Sequence, residues 1–381
     1  MDFITRMGEN LWSAASYAGP FLFVLCLVVF IHELGHFLVG RWCGVKVNSF
    51  SIGFGPEIIG FFDKHGTRWK ISAIPLGGYV KFHGDLNVAS ATDFAAAGQM
   101  SDEEKRISFP HKAIWQRALI VAAGPIANFI LAVVLFAGLS MVQGRVIVDP
   151  YVGGVIPGTA AERAGFQAGD KILRIDGAPI VNFESLQRLV SASPDITMKV
   201  VVMRGPSEVT LSVTPELKEI KSRLGVARIG QLGLRGSTDP AYARIEKFGP
   251  LRALSYGVNE TWFVIERTLS YLGKLIIGRE SADQLSGLPR IVQASGEVTK
   301  AGGFGALLGL TALMSVSIGL LNLFPIPMLD GGHLVFYAYE WAFKRPLSER
   351  KQEIAFRFGF ALVIGLMVFA TWNDIMHFVS L

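Results

Sequence analysis

The sequence predicts a polytopic α-helical membrane protein with about four transmembrane helices, a membrane-associated β-hairpin region and one small extracytoplasmic domain. Three observations carry this. Of the 381 residues, 51% are hydrophobic and only 18% charged, and the mean hydropathy of +0.41 exceeds what a soluble core needs. Four apolar stretches are long enough to cross a hydrocarbon layer of about 30 Å. Between the second and third of them lies a segment with the turn and strand alternation of a soluble domain.

The first span, Ser16–Gly40, lies in the segment 1–43. Arg6 and the apolar run after Pro20 mimic a secretory signal, but the run continues without a small-residue cleavage site, so it reads as a retained span. The region 44–113 carries Lys46, Lys64, Arg68, Lys70, Lys81, Lys105, Arg106 and Lys112. The second span is Ile114–Met141, within 114–141, and the soluble domain occupies 142–236. An amphipathic linker, 237–303, read as helices on the outer membrane surface or as a core helix of the soluble domain, leads to the third membrane segment, 304–335, with its span at Phe304–Phe324. A loop at 336–353 with Lys344, Arg345, Arg350 and Lys351 precedes the fourth span, Ile354–Trp372, in 354–381. Basic loops stay in the cytoplasm, which places 44–113 and 336–353 inside and both termini and the soluble domain outside. Arg357 is near enough to the start of its span to snorkel.

The net charge of +5 is spread out, with no basic-aromatic stripe. It reads as topology determinants and lipid-headgroup contacts, and no nucleic-acid partner is expected. Two cysteines, Cys26 and Cys43, exclude a disulfide framework and lack the spacing of a cysteine zinc site.

Within 44–113, Val45, Val47, Phe50 and Ile52 approximate a strand, which Gly53-Phe54-Gly55-Pro56 breaks. Trp69, Ile71 and Ala73, then Tyr79, Val80 and Phe82, continue it around Pro75 and Gly77-Gly78. Such a hairpin over Val45–Phe82 dips into a membrane only if its backbone is buried in protein or faces a cavity; a small cytoplasmic sheet is the other reading.

The first span contains His32-Glu33-Leu34-Gly35-His36. On a helix the two histidines share one face a turn apart, with Glu33 beside them, the arrangement by which a zincin helix presents two imidazoles and a general base to one zinc ion. Ionisable groups are costly in hydrocarbon, so three of them together argue for function; a satisfied cluster without metal is the alternative. A catalytic zinc needs a third protein ligand. The end of the third span reads Asn322-Leu323-Phe324-Pro325-Ile326-Pro327-Met328-Leu329-Asp330-Gly331-Gly332-His333. Two prolines break the helix, and a carboxylate at membrane depth is expensive unless it meets a cation, which selects Asp330. His333 competes for the role on residue type. Asn322 is placed to hold an oxyanion or the substrate backbone, or else to satisfy carbonyls freed by the prolines.

In 142–236, the strand Val152–Val155 is followed by Ala161-Glu162-Arg163-Ala164-Gly165, then Gly169-Asp170-Lys171-Ile172-Leu173-Arg174-Ile175-Asp176-Gly177. A helix at Phe183–Ser191 and strands at Thr197–Met203 and Val209–Thr214 complete it. This order resembles a PDZ domain of the permuted bacterial type, which binds extended peptides or chain ends by strand addition.

HExxH in a first span, NxxPxPxLDG in a later one and a PDZ domain between them resemble the site-2 protease family of intramembrane zinc metalloproteases. The likeness is nearest to the bacterial branch that regulates sigma-E, in a single-PDZ form. Arg117–Asn128 also matches the family pattern at the start of the second span. The chain departs from the pattern at Leu285-Ser286-Gly287-Leu288-Pro289-Arg290-Ile291-Val292, where members often read LSGPxxIA, and in having room for one PDZ domain. The resemblance implies zinc held by His32, His36 and Asp330, with Glu33 as general base. It implies cleavage of single-span membrane proteins such as anti-sigma factors after a first extracytoplasmic cut, and of remnant signal peptides, in a bacterial inner membrane. The expected role is envelope-stress signalling. Two other readings stand beside it, a membrane PDZ adaptor or chaperone without protease activity, and a metal transporter. The first gives no chemical reason to keep all four site residues, and the second needs a polar path that the spans do not show.

Overall fold

The computed structural model describes residues 2–85, 100–222, 225–237, 239–278 and 287–379. They fall into two compact units. One comprises Met1–Leu139, Ala253–Leu272 and Ser286–Leu381, the other Ser140–Arg252 and Gly273–Leu285.

The elements run α1 (Asp2–Trp42), β1 (Val47–Phe62), β2 (Arg68–Phe82), α2 (Asp102–Ile107) and α3 (Ile114–Val142). Next come β3 (Arg145–Val148), β4 (Val152–Val155), α4 (Ala160–Arg163), β5 (Lys171–Ile175), β6 (Ala178–Pro179) and α5 (Phe183–Ala192). Strands β7 (Met198–Arg204), β8 (Ser207–Val213), β9 (Glu216–Ser222), β10 (Gly225–Gln231), β11 (Leu234–Gly236) and β12 (Ala243–Glu246) follow. The chain ends with α6 (Pro250–Ile276), α7 (Leu288–Asn322), α8 (Asp330–Phe343) and α9 (Glu349–Val379).

Four helical stretches are long and apolar enough to cross a membrane: Ala15–Trp42, Ile114–Val142, Leu288–Asn322 and Glu349–Met376. Each contains or largely overlaps one of the expected spans. The third begins sixteen residues before Phe304, because α7 continues through a bend at Gly303, whose φ of 64° only glycine adopts without strain. Gly287 to Val292 of the departing string open this helix; Leu285 and Ser286 lie outside the described residues. The expected loop at 336–353 is mostly helical, since α8 runs to Phe343 and Lys344, in the left-handed region, ends it.

Helices pack where side chains are small. A Cβ on Gly257 would lie 2.4 Å from the Val133 carbonyl, so α6 presses its Ala253–Gly257–Thr261 face against α3. Trp262 and Leu254 face outward, as expected of an amphipathic helix, but this stretch belongs to the helical unit.

The hairpin occupies the expected stretch, but its strands run on through the expected break at Gly53–Pro56, and both bend double. Ser49–Ile52 pairs with Gly78–Lys81 on one side and with Arg68–Ile71 on the other, while Ile59–Phe62 pairs with Arg68–Ile71. The bends fall at Gly53 and Gly55 and at Gly77, all with positive φ. At Gly53 a Cβ would meet the Ser72 and Ile74 carbonyls at 2.9 and 2.8 Å. The inner segments bury Val47, Phe50, Val80 and Phe82 against Phe37, Phe109 and Ile120. The outer one exposes Ile58, Ile59, Phe61 and Phe62. At its far turn Asp63 is the hub: His65 N and Thr67 N donate to its Oδ1 at 2.8 and 3.0 Å, Trp69 Nε1 and Arg41 Nη2 to its Oδ2 at 3.2 and 2.6 Å. This ties the hairpin to the last turn of α1.

The second unit is mainly strands. A four-stranded sheet runs β6-β5-β7-β8, with pairs β4–β11, β3–β12 and β9–β10 beside it. Val152, Ala161, Phe166, Ile172, Leu186, Met198, Val200 and Val202 form its core. Asp170 is buried there, and Arg204 grips both of its carboxylate oxygens at 2.8 and 2.7 Å. The expected strand, short helix, strand, helix and strand pair of this region are all present.

Candidate metal centre

The site is assembled from α1, α3, the end of α7 and the start of α8. Helical spacing puts His32 and His36 on one face of α1, with ring centroids 4.8 Å apart. Gly35 lies between them and lets α3 come close: a Cβ there would lie 2.3 Å from the Ala123 carbonyl. Gly124 does the same for the imidazoles, since its Cβ would lie 2.2 Å from His36 Nε2 and 2.9 Å from His32 Cε1. In the turn where Pro125 removes a backbone donor, the Ile120 carbonyl accepts from His36 Nδ1 at 2.8 Å. Asn128, fully buried, places its Nδ2 3.3 Å from His32 Nδ1.

Asp330 arrives from the opposite side. After α7 ends at Asn322, Pro325 and Pro327 prevent the helix from resuming, and Met328 takes a φ of 102° before α8 begins. Two glycines let the first turn of α8 fold under this loop. Cβ atoms there would lie 2.3 Å from the Leu323 and Phe324 carbonyls at Gly331, and 2.4 Å from the Ile326 carbonyl at Gly332. Asp330 thereby becomes the first residue of α8, where the helix dipole favours a carboxylate. Asn322 sits at the other lip of the break, with Nδ2 3.4 Å from His32 Nε2.

His32, His36 and Asp330 form the one group of three or more potential metal-binding side chains among the described residues. Asp330 Oδ2 lies 3.2 Å from His32 Nε2 and 3.5 Å from His36 Nε2, and the two Nε2 atoms are 3.3 Å apart. Bonds of 2.0–2.2 Å at tetrahedral angles put zinc ligands about 3.3–3.6 Å from one another. The three observed separations match that triangle. Asp330 Oδ2 is also buried without a hydrogen bond among the described residues, the state of an atom waiting for a cation. Two imidazole nitrogens and one carboxylate oxygen are a zinc donor set, so the residues present fit the metal.

Glu33 follows His32 and turns toward the hairpin, where its Cγ would lie 3.1 Å from a Cβ on Gly78. His333 is not one of the group formed by His32, His36 and Asp330; its ring lies beside the Phe336 and Phe356 rings at 6.3 and 5.6 Å. Five of the six residues singled out in the sequence, His32, Glu33, His36, Asn322 and Asp330, thus meet in one place. Sequence reasoning missed the α3 contributions, Gly124, the Ile120 carbonyl and Asn128. The signal for them was a Gly-Pro pair and an amide inside an otherwise apolar span.

A family model described as Peptidase family M50 matches residues 20–366. A protein of Agrobacterium fabrum, provisionally named a zinc metalloprotease, is 49% identical over 365 residues, 96% of this chain and 97% of its own. A protein of Rhizobium meliloti, named in the same way, is 47% identical over 93% of this chain and 95% of its own. Metalloprotease MmpA of Caulobacter vibrioides is 42% identical over 94% of each.

Proposed function

Because the chain belongs to peptidase family M50, we propose that it is a zinc-dependent intramembrane endopeptidase that cuts single-span membrane proteins. The observation that carries this is the triangle of His32, His36 and Asp330 at zinc-ligand spacing in a chain with four helices apolar enough to cross a membrane.

His32, His36 and Asp330 are the proposed ligands, leaving a fourth position open for water and substrate. Zinc supplies a Lewis acid that polarises the scissile carbonyl and makes water acidic near neutral pH. The Glu33 carboxylate takes the proton from the attacking water and passes it to the leaving amide nitrogen. The Asn322 amide, on the lip of the helix break, donates to the developing oxyanion or holds the substrate backbone. The closely packed α1 and α3 limit bulk water on the remaining side.

A transmembrane substrate is helical and its carbonyls are paired, so cleavage needs local unwinding. The hairpin Val47–Phe82 is proposed to capture the unwound stretch by strand addition. Its exposed Ile58, Ile59, Phe61 and Phe62 suit immersion in the bilayer rather than a cytoplasmic sheet. We assign the strand unit to a PDZ domain on the strength of its Ala161–Gly177 string and strand–helix order. It would filter substrates by size or bind their newly cut ends.

The charge distribution supports a bacterial inner-membrane protein with this domain and both termini extracytoplasmic and the metal toward the cytoplasmic side. Substrates would include anti-sigma factors after a first cut and remnant signal peptides, so that cleavage transmits envelope stress. The adaptor reading gives no reason for the metal triangle. The test is cleavage of a reporter with one transmembrane segment by the purified full chain in detergent. Wild type should cut and Glu33→Gln should not. Equal cleavage by Glu33→Gln overturns the proposed general base.

A further inference from the structure

We propose that Asn128 is a positioning residue that sets the tautomer of His32 and thereby the metal affinity of the site. This rests on the zinc reading above. The two histidines are held differently. His36 Nδ1 faces a backbone carbonyl, Ile120 O, at 2.8 Å. A carbonyl only accepts, so Nδ1 carries the proton and Nε2 offers its lone pair inward. His32 Nδ1 instead faces the Asn128 amide at 3.3 Å. An amide donates from one end and accepts at the other, so it serves either tautomer.

As oriented in the structure, Asn128 Nδ2 donates to His32 Nδ1 at 3.3 Å. With Nδ1 accepting, the ring proton occupies Nε2, the atom turned toward Asp330 Oδ2 at 3.2 Å. In this orientation Asn128 Oδ1 is buried without a hydrogen bond among the described residues. A metal on Nε2 needs that lone pair, so the proton must reside on Nδ1. A donor Nδ1 facing a donor Nδ2 is repulsive. A half-turn of the amide about its last side-chain bond brings Oδ1 into place as the acceptor, with no net gain or loss of protons on the ring.

The rest of Asn128 is fixed, which leaves this half-turn as its freedom. Ser315 Oγ donates to its backbone carbonyl at 2.8 Å, and α7 closes over its Cβ at Gly319, where an added Cβ would lie 3.1 Å away. Acceptors behind metal-bound histidines are commonly worth about 10–100-fold in metal affinity. Asn128 has the position and the atoms for that role.

The experiment measures zinc affinity of the purified full chain by chelator competition, for wild type, Asn128→Leu and Asn128→Asp, with metal-free melting temperatures alongside. Asn128→Leu should bind zinc about 10–100-fold more weakly. Asn128→Asp, which can only accept when ionised, should bind at least as tightly as wild type. A purely structural Asn128 would instead lower the metal-free melting temperature of both variants and give no recovery with Asp. Wild-type affinity in Asn128→Leu, or equal loss in both variants, overturns the proposal while leaving the zinc site intact. Wild type that takes up no zinc overturns the zinc reading and this inference together.

Discussion

Gly124→Ala is the sharpest perturbation of the site that leaves every proposed ligand in place. The new Cβ would lie 2.2 Å from His36 Nε2 and 2.5 Å from its Cε1. An ordinary contact begins near 3.4 Å, so the imidazole must retreat by about 1.2 Å or α1 must part from α3. Parting would give up the close approach of α3 at the neighbouring Gly35, where a Cβ would lie 2.3 Å from the Ala123 carbonyl. Retreat breaks the 2.8 Å bond from His36 Nδ1 to the Ile120 carbonyl. A displacement of about 1 Å at reacting groups costs on the order of 100-fold in rate. Cleavage of a single-span reporter should therefore fall by about that factor, with weakened zinc retention after dialysis. The fold should persist, because the added methyl meets side-chain atoms of one residue pair. Wild-type zinc content and turnover in Gly124→Ala would refute the claim that α3 holds the two imidazoles in register.

Other outcomes follow from the same geometry. The buried pair Arg290–Asp374, with Nε 3.0 Å from Oδ1, joins the start of α7 to the end of α9. Asp374→Ala should cost about 3–5 kcal/mol of thermal stability in detergent, and the Arg290→Leu/Asp374→Leu double variant should recover much of it. Arg117 donates to Glu340 at 2.7 Å and covers the Tyr337 ring, holding α8 to α3. Arg117→Gln should lower kcat with zinc still bound, since α8 carries Asp330; unchanged kcat would count against this. Burial pushes the Asp63 carboxyl up, but hydrogen bonds from Thr67, Trp69 and His65 and the charge of Arg41 outweigh it and hold the group down at about 2. Its folded value is depressed, so its contribution is present above about pH 3.9 and is lost as pH falls toward 2. Hydrogen-exchange protection of the Asp63–Thr67 turn, taken relative to the intrinsic amide rate at each pH, should fall over that window in wild type and stay level in Asp63→Asn. Ile58→Pro, on the outer hairpin segment, should slow cleavage of a membrane substrate without loss of zinc; full turnover would remove the hairpin from substrate capture.

What the sequence made legible was what local pattern encodes. Spacing of four residues puts His32 and His36 on one helical face, and Pro325 with Pro327 marks the break that presents Asp330. The spans were readable because hydrocarbon tolerates few charges, and the strand unit because its glycine turns punctuate alternating residues. The rest arises from contacts distant in sequence. Asn128 meets His32 across 96 positions, and Gly124 matters only because α3 lies against α1. The doubled hairpin segments were obscured because Ile58 to Phe62 is apolar on both faces, which erases the alternation that identifies a strand. Helix α8 was divided between the third membrane segment and the loop at 336–353, because the two glycines in its first turn disfavour a new helix until they are packed under the proline loop.

Zinc K-edge X-ray absorption on the purified full chain tests the central claim most directly. The account predicts one zinc per chain with a first shell of two imidazole nitrogens and a carboxylate oxygen, and no sulfur. Asp330→Ala should lose the metal or change that shell. Sulfur scattering from Cys26 or Cys43, or a spectrum unchanged by Asp330→Ala, would contradict it.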